Sequence, residues 1–357
     1  MKILLYEPHS SGHHGVVLKY VQTILDGSRI AYVTINESVA GRLGGEFLAL
    51  QQEGRSQQVD LIHVLSIDGR VKDWLVHRPY SNARGIPIVA NYYLYNSLYQ
   101  GLIRWGWWWL LQRRLVSRLL ISDDFWREHR YLARVRQSVR YVPDPWSEAE
   151  FPAWTLEDAR ARLNLPAAKR VLLLFGEISW RKGADVLLNA FLENSDPQTD
   201  LLLFAGSVAG DLDKTNFHAQ LQVGLDRGSV RLDRGFVPEA EVSVYFHACD
   251  AVACVYPSWF QVSSGTFTRA CAAGRPVLAS DAGVTGRMAR EHALGYIYPA
   301  DDYAGLTRAL CTTLAEAVGK RADPSFCESA QAVAKARNLD AYGRAMLAAY
   351  RELIPAG

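Results

Sequence analysis

The chain contains 357 residues, of which 49% are hydrophobic and 21% charged, and its net charge at pH 7 is +2. This length exceeds what one hydrophobic core usually supports, so two domains of about 150 to 200 residues are expected. The composition excludes a largely disordered protein. No stretch reaches about 18 consecutive apolar residues, and the start of the chain lacks the features of a signal peptide. We therefore predict a cytoplasmic protein without a membrane-spanning helix.

The distribution of charge and of cysteines indicates which partners and metal sites the chain could have. Residues 1–145 hold 18 Lys and Arg against 12 Asp and Glu, whereas the remainder holds 21 against 25. The first part would therefore face any anionic surface. The modest charge and the lack of a nucleic-acid-binding signature exclude a nucleic-acid partner. All five cysteines lie in the second half without a CxxC pair, which predicts reduced thiols and neither a disulfide framework nor a zinc site.

Apolar, strand-like runs alternate with helical stretches along the chain, which predicts parallel sheets with crossover helices. The predicted strands are KILLYE, RIAYVTI, DLIHVLS, PIVANYY and RLLIS, then RVLLLFG, DLLLFAG, VRLDRGF, AVACVYP and PVLAS. The proline-rich segment 142–154 is predicted to be a linker. We predict domains at 1–145 and 146–338, followed within 339–357 by an amphipathic helix of roughly Asp340 to Ile354.

The loop after the first strand, PHSSGHHG, places Gly12 and Gly15 before a helix. Glycines let the backbone approach a ligand closely, and helix-end amides attract anions.

An aromatic helix is predicted from Leu98 to Val116. Its periodicity places Leu98, Leu102, Trp105, Trp109 and Val116 on the face that meets the sheet. A second apolar surface consists of Trp107, Trp108, Leu111 and Leu115. Tryptophan beside arginine is typical of interfacial helices, so this surface predicts contact with a membrane or a lipid acceptor. Burial between domains or in a homo-oligomer is the alternative.

Residues 171–191, VLLLFGEISWRKGADVLLNAF, read as a buried strand, a loop carrying Arg181 and Lys182, and an amphipathic helix. Such loops hold phosphate-bearing ligands in α/β folds, so a nucleotide-like anion is predicted here. A plain turn with solvated basic residues is the alternative. Asp211 and Asp213 have Asp-x-Asp spacing but lie in a polar loop, so we predict solvated carboxylates and no metal.

The segment 254–277, CVYPSWFQVSSGTFTRACAAGRPV, contains a helix start at Ser263, Ser264, Gly265 and Thr266. Free helix amides and hydroxyls at such a start predict a diphosphate cradle, although a simple helix cap would use the same groups.

Together with DAGVTGRMAREHALGYIYPADD, these blocks resemble retaining glycosyltransferase family 4, which has the GT-B fold, over most of residues 171–315. Lys182 matches the family lysine that grips the nucleotide diphosphate. Glu177 stands where the family tends to have an arginine. Gln261, Arg269 and Arg287 stand where the family has glutamates.

The resemblance implies an α/β fold with two Rossmann-like domains, whose parallel sheets face each other across a cleft. It also implies roles in the second, donor-binding domain. Lys182 and Arg181 would form an electrostatic clamp, and Gln261 would contact sugar hydroxyls. Gly235, Phe236 and Val237 would border the nucleobase, and Arg269 would mark an altered donor site or form a structural ion pair.

In the first, acceptor-binding domain, the resemblance implies that the loop at Gly12 and Gly15 faces the diphosphate, so that His13 or His14 could reach donor or acceptor. The alternative for either ring is an exposed loop histidine. Tyr93 occupies the place of a histidine near the reacting sugar, although a core tyrosine is the alternative. His63 also matches a family pattern but fits a structural role within its strand. The final helix would pack back on this domain.

The function implied is sugar transfer from a nucleotide-diphosphate donor to an unidentified lipid-linked or glycan acceptor, with retention of configuration and without a metal or other cofactor. The missing glutamates favour an alternative, a catalytically inactive binding subunit of an active glycosyltransferase. A sugar-nucleotide epimerase would need carboxylates for proton transfer, and the lost acidic residues argue against it.

Overall fold

The computed structural model describes residues 1–8, 13–36, 45–68, 74, 85–93, 103–129, 132–133 and 135–354. The chain divides into two compact units. Unit 1 comprises Met1–Pro145 together with Leu339–Gly357, and unit 2 comprises Trp146–Asn338.

Unit 1 contains a parallel sheet of six strands in the order β2-β1-β3-β4-β5-β6. The strands are β1 Lys2–Tyr6, β2 Ala31–Ile35, β3 Leu61–Val64, β4 Ile88–Asn91, β5 Arg118–Ile121 and β6 Val139–Tyr141. The strand order reverses at β1 and β3, where loops leave the sheet in opposite directions.

Unit 2 repeats this arrangement with the order β12-β11-β10-β7-β8-β9, again all parallel. The strands are β7 Arg170–Phe175, β8 Asp200–Gly206, β9 Val230–Arg234, β10 Ala251–Cys254, β11 Val277–Ser280 and β12 Gly295–Tyr298. The strand order reverses here at β7 and β10. Apolar residues run through the middle of β7 and are buried, as expected for a central parallel strand.

Helices connect the strands of both sheets. In the described residues they are α1 His13–Gly27, α2 Gly45–Ser56, α3 Ile103–Gln112, α4 Leu156–Arg162, α5 Ala184–Asn194, α6 Phe217–Asp226, α7 Glu239–Ala248, α8 Gly265–Ala272, α9 Gly283–Glu291, α10 Tyr303–Ala322, α11 Pro324–Lys335 and α12 Leu339–Arg351. No helix among the described residues is both long and apolar enough to cross a membrane.

Each unit has its own hydrophobic core. In unit 2, Leu172 and Leu174 of β7 pack with Leu187 and Phe191 of α5. In unit 1, the strands and α1 share a core with Tyr342, Met346 and Tyr350 of α12. The final helix of the chain is therefore part of the core of unit 1.

Every predicted strand contains an observed strand, because continuous apolar runs mark buried parallel strands clearly. Two further strands, β6 and β12, were not predicted. β6 has three residues, two of them half-buried, and β12 is half-buried over most of its length. Edge strands of this kind carry a weak apolar signal.

The predicted phase of the aromatic helix is wrong. Trp105, assigned to the buried face, is 59% exposed, whereas Trp107, assigned to the outer surface, is 1% exposed and packs on Tyr92 with ring centroids 4.6 Å apart. Leu111 is also buried. The helix ends at Gln112 and Arg114 adopts a positive φ of 56°. Val116 therefore lies beyond the helix and cannot define its face.

This correction removes the predicted membrane-facing surface of Trp107, Trp108, Leu111 and Leu115. Trp107 and Leu111 belong to the interior, and Trp108 and Leu115 are half-buried. The side chain of Trp105 is the exposed one, and the Arg104 guanidinium lies 5.3 Å from the centroid of its ring. Leu98 and Leu102 lie outside the described residues.

Candidate functional site

The carboxyl edge of the second sheet brings the predicted anion-binding residues together. β7 and β10 are neighbours, with Leu172 opposite Ala251 and Leu173 opposite Val252. The loops that follow these strands begin side by side where the strand order reverses. Open α/β sheets bind ligands at this position, outside the carboxyl ends of the strands.

The loop after β7 is shaped by two glycines with positive φ. Gly176 has a φ of 90°, and a Cβ there would lie 2.8 Å from the Lys182 ammonium nitrogen. A short 3₁₀ helix, Trp180–Lys182, follows and ends at Gly183, whose φ is 62° and whose Cβ would meet the Val255 carbonyl oxygen. Side chains at either glycine would therefore disturb the approach of this loop to its neighbours.

Lys182 lies at the centre of this arrangement. Its Nζ donates to the Phe175 carbonyl oxygen and lies 3.4 Å from Thr266 Oγ1 at the start of α8. Burial, with a smaller contribution from the Arg181 charge, lowers the pKa of Lys182 to about 8. The lysine therefore still carries a proton in most molecules at neutral pH, in surroundings that solvate the charge poorly.

Arg181 points to other partners. Its guanidinium lies 3.2 Å from the Glu177 carboxylate and 5.5 Å from the centroid of the Phe260 ring. Glu177 replaces the arginine that the family resemblance leads one to expect, and here it partly compensates the Arg181 charge. An anion at Lys182 would have to compete with Glu177 for Arg181.

The start of α8 matches the predicted helix start. Ser264 caps the helix by accepting from the Phe267 amide, and its Oγ lies 2.6 Å from the Tyr256 hydroxyl. The Ser264 hydroxyl is therefore already engaged. The first amides of a helix have no intrahelical partner, so those of Gly265 and Thr266 are the groups this segment can offer to an anion. Ser263 directly precedes the cap and is half-buried.

Two of the three residues at the family glutamate positions, Gln261 and Arg269, differ in their surroundings. Gln261 donates from Nε2 to the Ser258 carbonyl oxygen at 2.6 Å. Arg269 forms an ion pair with Glu239, in the first turn of α7, with Nη2 and Oε1 2.7 Å apart. Sequence reasoning did not single out Glu239. The acidic residue following Pro238 at a helix start was the available signal.

The segment after β9 forms a separate concave surface. Gly235, Phe236 and Val237 line it together with Asp233 and Tyr245. The Phe236 ring is largely exposed, and the Tyr245 hydroxyl donates to Asp233 at 3.1 Å. An exposed aromatic ring beside polar acceptors is suited to contact a flat heterocycle.

The carboxyl edge of the first sheet is built differently. His14 Nδ1 lies 3.2 Å from Oε2 of Glu7, a buried carboxylate directly after β1, and about a third of the imidazole is exposed. Sequence reasoning missed Glu7 because it lay within a predicted strand. Gly15 belongs to α1. The His13 side chain and Gly12 lie outside the described residues.

Tyr93 is half-buried and hydrogen-bonded. Its hydroxyl accepts from Asn91 Nδ2 at 2.9 Å, and its backbone amide donates to Asp68. Asn91 also contacts His63, which is bonded to the Tyr350 hydroxyl at 2.6 Å. Burial lowers the pKa of His63 to about 4, so this ring is neutral at physiological pH and acts as a structural link.

The Asp-x-Asp pair has structural contacts. Asp211 accepts from the Trp180 amide at 3.3 Å, and Asp213 lies 2.8 Å from His218 Nε2. Asp211 thereby supports the 3₁₀ turn that carries Lys182. Within the described part of the chain, no group of three or more His, Cys, Asp or Glu side chains is arranged to hold a metal ion.

Comparison with known proteins agrees with this architecture. Residues 169–316, which span the loops after β7 and β10 and the whole of α8, match the family model described as glycosyl transferases group 1. No curated protein shows significant sequence similarity to the chain.

Solved structures resemble the whole chain. Sucrose-phosphate synthase from Thermosynechococcus elongatus has a TM-score of 0.75 and 19% identity over 100% of both chains. HepE of Anabaena in complex with UDP has a TM-score of 0.73 and 16% identity over 99% of this chain and 100% of its own. WaaG, a glycosyltransferase involved in lipopolysaccharide biosynthesis, has a TM-score of 0.69 and 14% identity over 100% of both chains.

The predicted fold class is therefore confirmed: the chain is an α/β protein whose two six-stranded parallel sheets match GT-B glycosyltransferase structures. The family match lies wholly within unit 2.

Proposed function

We propose that the chain transfers a sugar from a nucleoside-diphosphate sugar to an acceptor hydroxyl, with retention of configuration and without a metal ion. Unit 2 binds the donor. HepE was solved with UDP and with UDP-glucose, so UDP is the first nucleotide to test as part of the donor.

The position of the Lys182 ammonium group carries this proposal. It lies beside Gly176, where an added Cβ would come within 2.8 Å of Nζ, and beside Thr266 at the start of α8. Departure of the diphosphate from the sugar leaves negative charge on the phosphate oxygens. A lysine and helix amides held at one point stabilise that charge without first reorganising.

The remaining donor contacts are assigned to residues at the same carboxyl edge of the second sheet. Gly235, Phe236 and Val237 border the nucleobase, and Gln261 contacts sugar hydroxyls. Arg269 cannot accept hydrogen bonds from a ribose, because a guanidinium has only donors. The ion pair between Arg269 and Glu239 instead links α8 to the first turn of α7. In unit 1, His14 and Tyr93 are assigned to the acceptor.

The first experiment measures thermal stability and calorimetric affinity with UDP, GDP and ADP in the presence of EDTA. A ligand that binds the folded state raises its stability, so one diphosphate should raise the melting temperature. No binding of any nucleoside diphosphate would reject the proposal. Binding that requires added Mg²⁺ or Mn²⁺ would reject metal independence alone.

Stereochemistry is tested separately. The protein is incubated with the sugar nucleotide that binds, and the anomeric configuration of the transferred or hydrolysed sugar is followed by NMR. An α-linked donor should first yield the α-anomer. First appearance of the β-anomer would reject retention and leave the donor assignment intact.

One observation favours a second candidate, a nucleotide-sugar-binding subunit without catalysis. Arg269 and Gln261 stand at two of the three family glutamate positions, and Arg269 forms an ion pair with Glu239. Such a subunit would bind UDP through Lys182 but neither transfer nor hydrolyse the sugar over a broad panel of acceptors.

A further inference from the structure

Three arginine side chains of unit 2 converge between the end of α7 and the start of β10. Arg275 and Arg160 each donate to a carbonyl oxygen in the last two residues of α7, at 2.7 and 3.0 Å. Asp250, which directly precedes β10, accepts from Arg160 at 2.7 Å and from Arg321 at 2.6 Å. This arginine cluster therefore lies at the amino edge of the second sheet, whereas the proposed donor site lies at the carboxyl edge.

The positive charge of the arginine cluster exceeds the negative charge around it. In the described part of the chain, Asp250 is the only carboxylate within 4.0 Å of the three guanidinium groups. Burial raises the pKa of the neighbouring Cys249 thiol to about 12, so the thiol is neutral at physiological pH. Helices α7 and α10 both end here, and each helix end carries about half an elementary negative charge. About one positive charge therefore remains uncompensated.

This excess charge is poorly solvated. The side chains of Arg160 and Arg321 are 6% and 18% exposed, and Arg275 is buried. Burial, with a smaller contribution from the Arg321 charge, lowers the pKa of Arg275. A buried charge without a counterion destabilises the fold, so an anion that reaches the cluster relieves part of this cost.

Arg321 supplies the donors that an anion can reach. It uses Nε for Asp250, and among the described residues no acceptor is bonded to its Nη1 or Nη2 group. Both nitrogens are accessible to water. Arg275 Nε is shielded from water and cannot contact a ligand, so Arg275 contributes through its charge. A guanidinium offers two parallel donors to the oxygens of a phosphate group.

We propose that the arginine cluster binds a phosphate group, as the free ion or as a phosphomonoester, through the Nη groups of Arg321. Arg160 and Arg275 supply positive potential. The uncompensated charge favours an anion over a neutral ligand, and the planar pair of donors favours phosphate oxygens over chloride. This second anion site goes beyond sugar transfer and uses no residue of the donor site.

The test titrates inorganic phosphate into the full chain at neutral pH and constant ionic strength, with saturating UDP, and follows binding by phosphorus NMR. UDP occupies the site at Lys182, so phosphate bound under these conditions reports the arginine cluster. Arg321→Gln should weaken phosphate binding about tenfold or more, the loss of a charge-assisted contact. Arg308→Gln is the matched control, because Arg308 lies on the same helix, 3.6 Å from Asp302, and should leave phosphate affinity unchanged.

Two further titrations identify the ligand and separate the two anion sites. Methyl phosphate that binds as tightly as inorganic phosphate supports a phosphomonoester, and binding of inorganic phosphate alone supports the free ion. Lys182→Met without UDP should bind phosphate as tightly as the UDP-saturated wild-type chain. If UDP does not bind, the proposed function is rejected, and the comparison of Arg321→Gln with Arg308→Gln is made in the Lys182→Met background.

No binding of phosphate to either protein, equal affinity in wild type and Arg321→Gln, or an equal loss in Arg308→Gln would each overturn the proposal. Circular dichroism is recorded for every variant. If Arg321→Gln does not fold, Arg321→Lys replaces it, because lysine keeps a charge beside Asp250 and removes the paired donors. Wild-type phosphate affinity in Arg321→Lys would then overturn the proposal.

Discussion

The two sheets have the same reversal of strand order but use polar residues differently at their carboxyl edges. In unit 1, the polar groups are bonded to one another: His14 contacts Glu7, and His63 contacts Asn91 and Tyr350. In unit 2, Lys182 donates to a carbonyl and a hydroxyl oxygen, both neutral. These two contacts leave its charge uncompensated.

The difference shows how one topology can serve two purposes. Bonded and mostly buried polar groups rigidify an edge, because each donor already has its acceptor. A desolvated cation whose nearest contacts are neutral favours an incoming anion, because the anion compensates the charge. We therefore expect substitutions at the edge of unit 2 to change affinity, and those in the network of unit 1 to change stability.

The largest effect is expected for Lys182→Met, which keeps the length of the side chain and removes the charge. UDP affinity, measured by calorimetry, should fall by about ten- to a hundredfold, the loss of one charge-assisted contact. Lys169→Met is the control, because Lys169 also donates to a backbone carbonyl, that of Gly228. Equal affinity in wild type and Lys182→Met would contradict the contrast between the two edges.

Gly176→Ala should weaken UDP binding by about tenfold without removing any charge. The new Cβ would lie 2.8 Å from Lys182 Nζ, so the ammonium must move, and the φ of 90° strains a side-chain-bearing residue. Gly228→Ala separates the two causes, since Gly228 also has a positive φ but no neighbouring atom within 4 Å of the position that an added Cβ would take. A fall in affinity for both variants would point to general strain.

The pH dependence of UDP affinity should follow the Lys182 ammonium group. With a pKa of about 8 in the free protein, the charged fraction falls about tenfold between roughly pH 7 and pH 9. Affinity should therefore decline as pH rises through this window. Lys182→Met should show no such decline, and an identical profile in both proteins would assign the titration to another group.

Tyr350→Phe tests the edge of unit 1. The substitution leaves a nitrogen of the buried His63 ring without its partner, at a cost of about 1 to 3 kcal/mol in the free energy of unfolding. Denaturant titration should detect this loss, while UDP affinity stays within about twofold. Tyr32→Phe, which removes an exposed hydroxyl near Asp26, is the control and should cost little.

The smallest effect is expected for Arg269→Gln. Its ion pair with Glu239 is partly exposed, so its loss should cost no more than about 1 kcal/mol of stability. A double-mutant cycle with Glu239→Gln measures the pair directly. A UDP affinity reduced about tenfold or more by Arg269→Gln alone would instead assign Arg269 to the donor.

Several features of the fold were predictable because they depend on local pattern. The apolar runs specify the central strands, since a parallel strand covered on both faces must be apolar throughout. The order of strand, glycine, basic residues and helix around Lys182 likewise predicts where an anion site could form, because strand ends and helix starts meet at one edge.

Other features depend on partners that are distant in sequence. The phase of the aromatic helix was set by Tyr92 and by the end of the helix at Gln112, and neither follows from periodicity alone. The engagement of Ser264 by Tyr256 and of Arg269 by Glu239 required the loops to be brought together.

The sequence by itself determined the strands with continuous apolar runs, the helix start at Ser264 and the residue types at the carboxyl edges, because these depend on neighbours within a few positions. Tertiary structure decided which charges are compensated. Arg181 and Arg269 acquire carboxylates, whereas Lys182 meets neutral oxygens beside Gly176. The physical reason is that the energy of a charged side chain depends on its desolvation and on the nearest opposite charge, and both are set by contacts across the fold.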